Sequence, residues 1–74
     1  MCITVKLFAS FRTGRFSVEE REYPEGTSIG QVADDISLPR EEIGIIIVNS
    51  RHAKLERVLE DGDILALFPL LGGG

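Results

Sequence analysis

The residues of this sequence that are best suited to chemistry are its last three. Gly72, Gly73 and Gly74 follow an apolar run that starts at Leu67. Because glycine has no Cβ, this glycine tail (residues 72–74) can pass through a narrow channel and carry the Gly74 carboxylate into another protein's active site. A carboxylate resists nucleophilic attack, so it must first be activated, for instance as a mixed anhydride with a nucleotide. The pattern therefore predicts an end group that a separate, ATP-using enzyme binds and orients.

The segment before the tail has the properties of a binding arm. Pro69 fixes φ and lacks an N–H donor, so it should end the last strand and project the following chain away from the sheet. The apolar pair Leu70 and Leu71 could anchor in a groove of a partner. The alternative interpretation is that terminal residues fray and tolerate small side chains. We expect a folded domain over residues 1–71 and a flexible tail over residues 72–74.

The composition predicts one small folded domain and disfavours two kinds of partner. Hydrophobic residues make up 43% of the 74 positions, and a net charge of −4 disfavours nucleic acid as a ligand. The apolar runs are too short to span a bilayer, and the first 30 residues contain no secretory signal pattern. A single cysteine agrees with a reduced compartment. We expect a cytoplasmic protein with no membrane partner.

The other polar residues favour structural roles. His52 has neither a nearby cysteine nor a second ligand at useful spacing, and Cys2 lies at a strand start, where small apolar side chains are common. Asp61-Gly62-Asp63 is too short for a calcium loop and suits a turn. We therefore expect no metal site, no bound cofactor and no catalysis by this chain alone.

Two alternating strands predict an apolar surface next to the arm. Residues 2–8 and residues 64–68 both alternate between apolar inward positions and outward positions. The outward set includes Phe8, Ala66 and Phe68, which neighbouring strands would join into one exposed patch. The alternative is that the loop around Phe11 covers both aromatic rings and makes them part of the core.

The order of the elements predicts the fold. Ser28 and Gln31 have capping-box spacing at the start of an amphipathic helix, which should end before Leu38-Pro39. Residues 44–49 are almost continuously apolar and rich in β-branched side chains, which predicts a central strand covered on both faces. The first strand should pair with the last one in parallel. These features predict an α+β protein of the ubiquitin-like β-grasp type, with a mixed sheet of four to five strands and one main helix packed across one face.

Four segments of the chain carry a resemblance to a known family. They are VKLFASFR, GTSIGQVADDI, IIIVN and, most specific of all, LEDGDILALFPLLGGG at residues 59–74. Together these segments resemble the ubiquitin-like sulfur carriers, which include the small subunit of molybdopterin synthase and the thiamine sulfur carrier.

The resemblance implies a carrier and not an enzyme. An activating enzyme related to the ubiquitin-activating class would use ATP to adenylate Gly74, and a sulfur-donating protein would convert it to a thiocarboxylate. The loaded carrier would dock on the large subunit of molybdopterin synthase and give its sulfur to a pterin precursor, forming the dithiolene. The family's interface aromatics correspond to Phe8 and Phe68, and the residues expected to contact the partner are Phe8, Ala66, Phe68, Pro69, Leu70 and Leu71.

The chain departs from the usual family pattern at two places. Pro69 is followed by Leu70 where a second proline is common, and three glycines replace the usual two, so either Gly74 or an inner glycine could be the acceptor. Three alternative functions stay open: sulfur donation to thiazole synthase for thiamine, a ubiquitin-like modifier joined to lysines by isopeptide bonds, and an interaction domain with an inert tail. The metal served by the pathway also stays open.

Overall fold

The structure is a computed structural model that describes residues 1–70. Leu71 and the glycine tail, with the roles predicted for them, lie outside the described residues. The elements along the chain are the strands, the helix and two short 3-10 turns, at Ala9–Arg12 and Arg40–Glu42. The larger elements are β1 (Cys2–Leu7), β2 (Val18–Glu22), α1 (Ile29–Asp35), β3 (Ile43–Val48), β4 (Arg51–His52) and β5 (Ile64–Pro69).

The strands form one mixed sheet in the order β2-β1-β5-β3-β4. The first strand pairs with the last one in parallel, and Leu7 lies opposite Leu67 at the end of this pairing. All other neighbouring strands are antiparallel. A five-stranded mixed sheet with one main helix is the predicted β-grasp arrangement, and the prediction of the fold class is confirmed.

The alternation of β1 and β5 separates the two faces of the sheet. Inward side chains of both strands are fully buried, and α1 and the segments that flank it pack against them. This alternation follows from the period of two in a strand, which sends successive Cβ atoms to opposite faces. The buried core consists of Ile3, Val5, Leu7, Phe11, Ile29, Val32, Ala33, Ile36, Leu38, Val48, Leu59, Leu65 and Leu67.

The helix begins at the predicted capping box. The Gln31 N–H donates to Ser28 Oγ at 3.3 Å, and the Ser28 N–H donates to Gln31 Oε1 at 2.9 Å. These bonds satisfy two donors that the start of a helix would otherwise leave free. The helix ends at Asp35 with Ile36 as its C-cap, and Ser37 then has a positive φ of 61°.

The prediction that residues 44–49 form a central strand covered on both faces is wrong. β5 occupies the centre of the sheet, and β3 lies between β5 and the two-residue β4. The helix packs on only one face, so Ile45 on the other face is 37% exposed. A continuous apolar run does not distinguish a doubly buried strand from one whose outer face serves another purpose. Within residues 1–70, no helix is long and apolar enough to cross a membrane.

Candidate functional site

Two aromatic rings stack on the face of the sheet opposite the helix. The parallel register that sets Leu7 beside Leu67 also brings Phe8 next to Phe68, and the Phe8 N–H donates to the Leu67 carbonyl oxygen at 3.3 Å. The ring centroids are 4.2 Å apart, with an angle of 9° between the ring planes. Phe11 instead enters the core at 3% exposure, so it does not cover the pair, and both stacked rings are only half-buried.

Further apolar side chains extend this surface. The antiparallel register of β3 and β5 sets Ile45 beside Phe68, and Ile64 at the start of β5 is 43% exposed on the same face. We call the set Phe8, Ile45, Ile64, Ala66 and Phe68 the aromatic patch. A contiguous exposed apolar surface of this kind marks an interaction site in a protein that is otherwise rich in charge. The structure therefore brings Phe8, Ala66 and Phe68 together as the alternation predicted.

A positive charge lies at the border of the aromatic patch. Arg12 Cζ is 5.4 Å from the centroid of the Phe8 ring, and its Nε donates to the Leu7 carbonyl oxygen at 2.9 Å. A guanidinium at this distance from a ring face is attracted to its π electrons. The 3-10 turn at Ala9–Arg12 makes this contact possible, and the sequence contains no signal for that turn. Arg12 is therefore a site residue that sequence reasoning missed.

The chain stays attached to the sheet through Leu70. Pro69 ends β5, as predicted, but the Leu70 N–H still donates to the Glu42 carbonyl oxygen at 2.9 Å. The extended arm predicted after Pro69 therefore does not begin at Leu70. The Leu70 side chain itself is 61% exposed and remains available to a partner. The hydrogen bond to Glu42 therefore fixes the backbone of Leu70 beside the end of β5, two residues from Phe68.

Gly44 allows this attachment. A Cβ on Gly44 would lie 2.9 Å from Leu70 Cα and 2.9 Å from the Pro69 carbonyl oxygen, closer than a real Cβ comes to another atom. The pairing of β3 with β5 also shifts register between Ile43 and Ile45. An isolated glycine in a strand often marks such a bulge or a close backbone approach, so the sequence did contain a signal for this position.

The remaining candidates lie away from the aromatic patch or serve the fold. His52 is exposed on β4, and Cys2 is exposed at the start of β1. The buried carboxylate of Asp63 accepts from Asn49 Nδ2 and from the Glu60 N–H, both at 2.8 Å, and so closes the turn that leads into β5. Among residues 1–70, no three potential metal ligands come together.

The fold and a family match define the class of the protein. A five-stranded mixed sheet with parallel first and last strands, crossed by one main helix, is the architecture of ubiquitin-like β-grasp proteins. The family model of the ThiS family matches residues 5–74. The chain therefore belongs to the ThiS family of ubiquitin-like sulfur carriers. A search of curated protein sequences finds no significant match.

Solved structures support the fold assignment. A Pyrococcus furiosus protein provisionally described as molybdopterin converting factor subunit 1 is 28% identical, with a TM-score of 0.76 over 93% of this chain and 97% of that one. Small archaeal modifier protein 1 from Haloferax volcanii is 22% identical, with a TM-score of 0.74 over 92% and 95%. A complex of subunits 1 and 2 of molybdopterin-converting factor from Helicobacter pylori contains a chain that is 17% identical, with a TM-score of 0.66 and full coverage of both chains.

Proposed function

We propose that this chain carries sulfur on the carboxylate of Gly74. An activating enzyme of the ubiquitin-activating type joins this carboxylate to AMP from ATP and releases pyrophosphate. A persulfide on a donor protein then attacks the acyl adenylate, AMP leaves, and a thiol reductant cleaves the resulting acyl disulfide to release the thiocarboxylate and the donor's thiol. The family match supports this proposal because it extends through residue 74 and includes the glycine tail. ATP belongs to the activating enzyme, and the carrier needs no cofactor of its own for either step.

The observation that carries the proposal is the position of the aromatic patch relative to the end of β5. Phe68, one ring of the stack, lies on β5, the strand that leads directly to Leu70 and the tail, and Phe8 lies beside it at the end of β1. A partner that binds the stack therefore holds the carrier only a few residues from the reactive group. Holding reactants in a fixed geometry replaces an encounter in solution with a step inside a complex, which lowers the entropic part of the barrier.

We propose the large subunit of molybdopterin synthase as the partner that receives the sulfur. Two similarities support this choice: the Pyrococcus furiosus protein is described as subunit 1 of molybdopterin converting factor, and the Helicobacter pylori structure is a complex of subunits 1 and 2. The sulfur would then enter the dithiolene of molybdopterin or of its tungsten counterpart. Such a pathway would operate in the cytoplasm.

A second candidate function is that of a ubiquitin-like protein modifier. The similarity to small archaeal modifier protein 1 favours it, since that structure has nearly the same TM-score as the Pyrococcus furiosus protein. The initial adenylation would be the same, but the activated glycine would then be joined to a lysine amine of another protein. Transfer of sulfur to thiazole synthase is the third outcome that the same chemistry permits.

Intact-mass measurement tests the proposal. The chain is incubated with its activating enzyme, ATP and a sulfur donor, and we expect the mass change of one oxygen replaced by sulfur. Deleting Gly73 and Gly74 should abolish this change and leave the circular dichroism spectrum intact. The loaded protein is then offered to molybdopterin synthase, thiazole synthase and a cell extract in parallel. Product release by the first supports the proposal, whereas sulfur loading of the truncated chain contradicts it.

A further inference from the structure

We propose that Gly44 is a positioning residue for the glycine tail. Its missing side chain lets the backbone at Pro69 and Leu70 pack directly against β3, and this contact sets the point from which the tail is presented to the activating enzyme. We call Glu42, Gly44, Pro69 and Leu70 the tail seat. The inference rests on the proposed function, because it concerns the delivery of the Gly74 carboxylate.

Space, and not backbone conformation, is the reason for glycine at this position. Gly44 is absent from the glycines with positive φ, which are Gly14, Gly26 and Gly62. Alanine could therefore adopt the same backbone angles. Its Cβ, however, would lie 2.9 Å from Leu70 Cα, 2.9 Å from the Pro69 oxygen and 3.1 Å from the Leu70 nitrogen. These are backbone atoms, which cannot rotate away as the end of a side chain can.

A methyl group at Gly44 must therefore displace the end of β5. The hydrogen bond from the Leu70 N–H to the Glu42 carbonyl oxygen lies within the same contact and would lengthen or break. The rest of β5 has independent anchors, because Leu65 and Leu67 are fully buried and pair with β1 on the other side. The displacement of the backbone should therefore be confined to the tail seat, and Phe8 and Phe68 should remain stacked.

Gly30 in α1 provides a matched control. A Cβ at Gly30 would approach Arg40 Cζ and Nη2 to 2.8 Å, a distance as short as that at Gly44. The atoms that it meets are the far end of a flexible, exposed side chain, which can move aside at little cost. Gly30→Ala therefore adds the same methyl group with a comparable overlap, and the side-chain atoms that it meets are not part of the tail seat.

The test measures steady-state adenylation by the activating enzyme together with amide hydrogen exchange. We expect Gly44→Ala to lower kcat at least about fivefold with KM for the carrier within about twofold of wild type, because docking is kept and tail delivery is impaired. Exchange at the Leu70 N–H should accelerate in Gly44→Ala, and exchange at Leu65 and Leu67 should not. Gly30→Ala should match wild type in all of these measurements.

Each other outcome contradicts a defined part of the reasoning. If Gly44→Ala accelerates Leu70 exchange but is adenylated like wild type, the tail seat has no role in delivery. If the wild-type Leu70 N–H exchanges as fast as an unstructured amide, the tail seat itself is refuted, even if the variant fails to fold. If the wild-type chain is not adenylated at all, the proposed function itself is refuted. This result differs from the two outcomes above, which contradict only the role or the existence of the tail seat.

Discussion

Replacing Phe68 with alanine should weaken binding to the proposed partner, the large subunit of molybdopterin synthase, and leave the fold in place. The ring is half-buried and lies outside the buried core, so β5 keeps its inward anchors Leu65 and Leu67. The change removes one member of a stack with centroids 4.2 Å apart, and such a pair contributes about 0.5–1.5 kcal/mol beyond the burial of its surface. We expect the free energy of unfolding to fall by about 1–2 kcal/mol.

The effect of Phe68→Ala on binding should be larger than its effect on folding. An aromatic side chain at the centre of an interface typically contributes about 1–4 kcal/mol, which corresponds to about a fivefold to thousandfold rise in Kd. Phe8→Ala should have a similar effect. The double variant should lose less than the sum of the two, because each ring forms part of the surface that the other presents.

Isothermal titration of the purified large subunit into each variant measures the Kd and so tests this prediction. Val58→Ala is the matched control, since Val58 is 52% exposed, lies outside the strands of the sheet and forms a bridge with Ser28 at the start of α1. We expect its Kd to match that of wild type. An unchanged Kd for Phe68→Ala, with a native circular dichroism spectrum, would refute the assignment of the aromatic patch as the docking surface.

Two further predictions concern stability and charge. Asp63→Ala should lower the free energy of unfolding in urea by about 1–3 kcal/mol, because Asn49 Nδ2 and the Glu60 N–H both lose an acceptor at 2.8 Å; an unchanged midpoint would contradict this. The hydrogen bonds from Arg40 hold the pKa of Asp34 below its usual 3.8. The stabilisation from this pair is therefore present above pH 3.8 and is lost as the pH falls through the lowered pKa. Arg40→Gln should raise the pKa of Asp34 in an NMR titration, and an unmoved titration curve would show that Arg40 is not the cause.

Local sequence patterns were sufficient for most of the fold. The alternation in β1 and β5 predicted which residues face the core, and the spacing of Ser28 and Gln31 predicted the start of the helix. These features depend on residues that are close in sequence. The period of a strand and the geometry of a helix cap allow such residues only a few conformations. The pairing of the first strand with the last followed from topology rules and was also correct.

The features that sequence reasoning missed depend on contacts between distant segments or on a short turn with weak sequence preferences. The position of Gly44 against Leu70 depends on how β3 and β5 align, and an isolated glycine in a strand signals a close approach without identifying the neighbour. The hydrogen bond from Leu70 to Glu42 has the same origin, and for that reason sequence reasoning placed Leu70 on an arm that projects away from the sheet. The contact of Arg12 with Phe8 depends on a 3-10 turn, which has only weak sequence preferences.

The central position of β5 has a consequence for the synthesis of the protein. Residues 1–63 contain two antiparallel units, β2 with β1 and β3 with β4, that have no pairing with each other except through β5. A nascent or truncated chain that lacks β5 therefore cannot complete the sheet, and its formation must wait for contacts between segments far apart in sequence. An enzyme that recognises the finished surface would thus select against incomplete copies, since the strand that completes the sheet is also the one that leads to the reactive end.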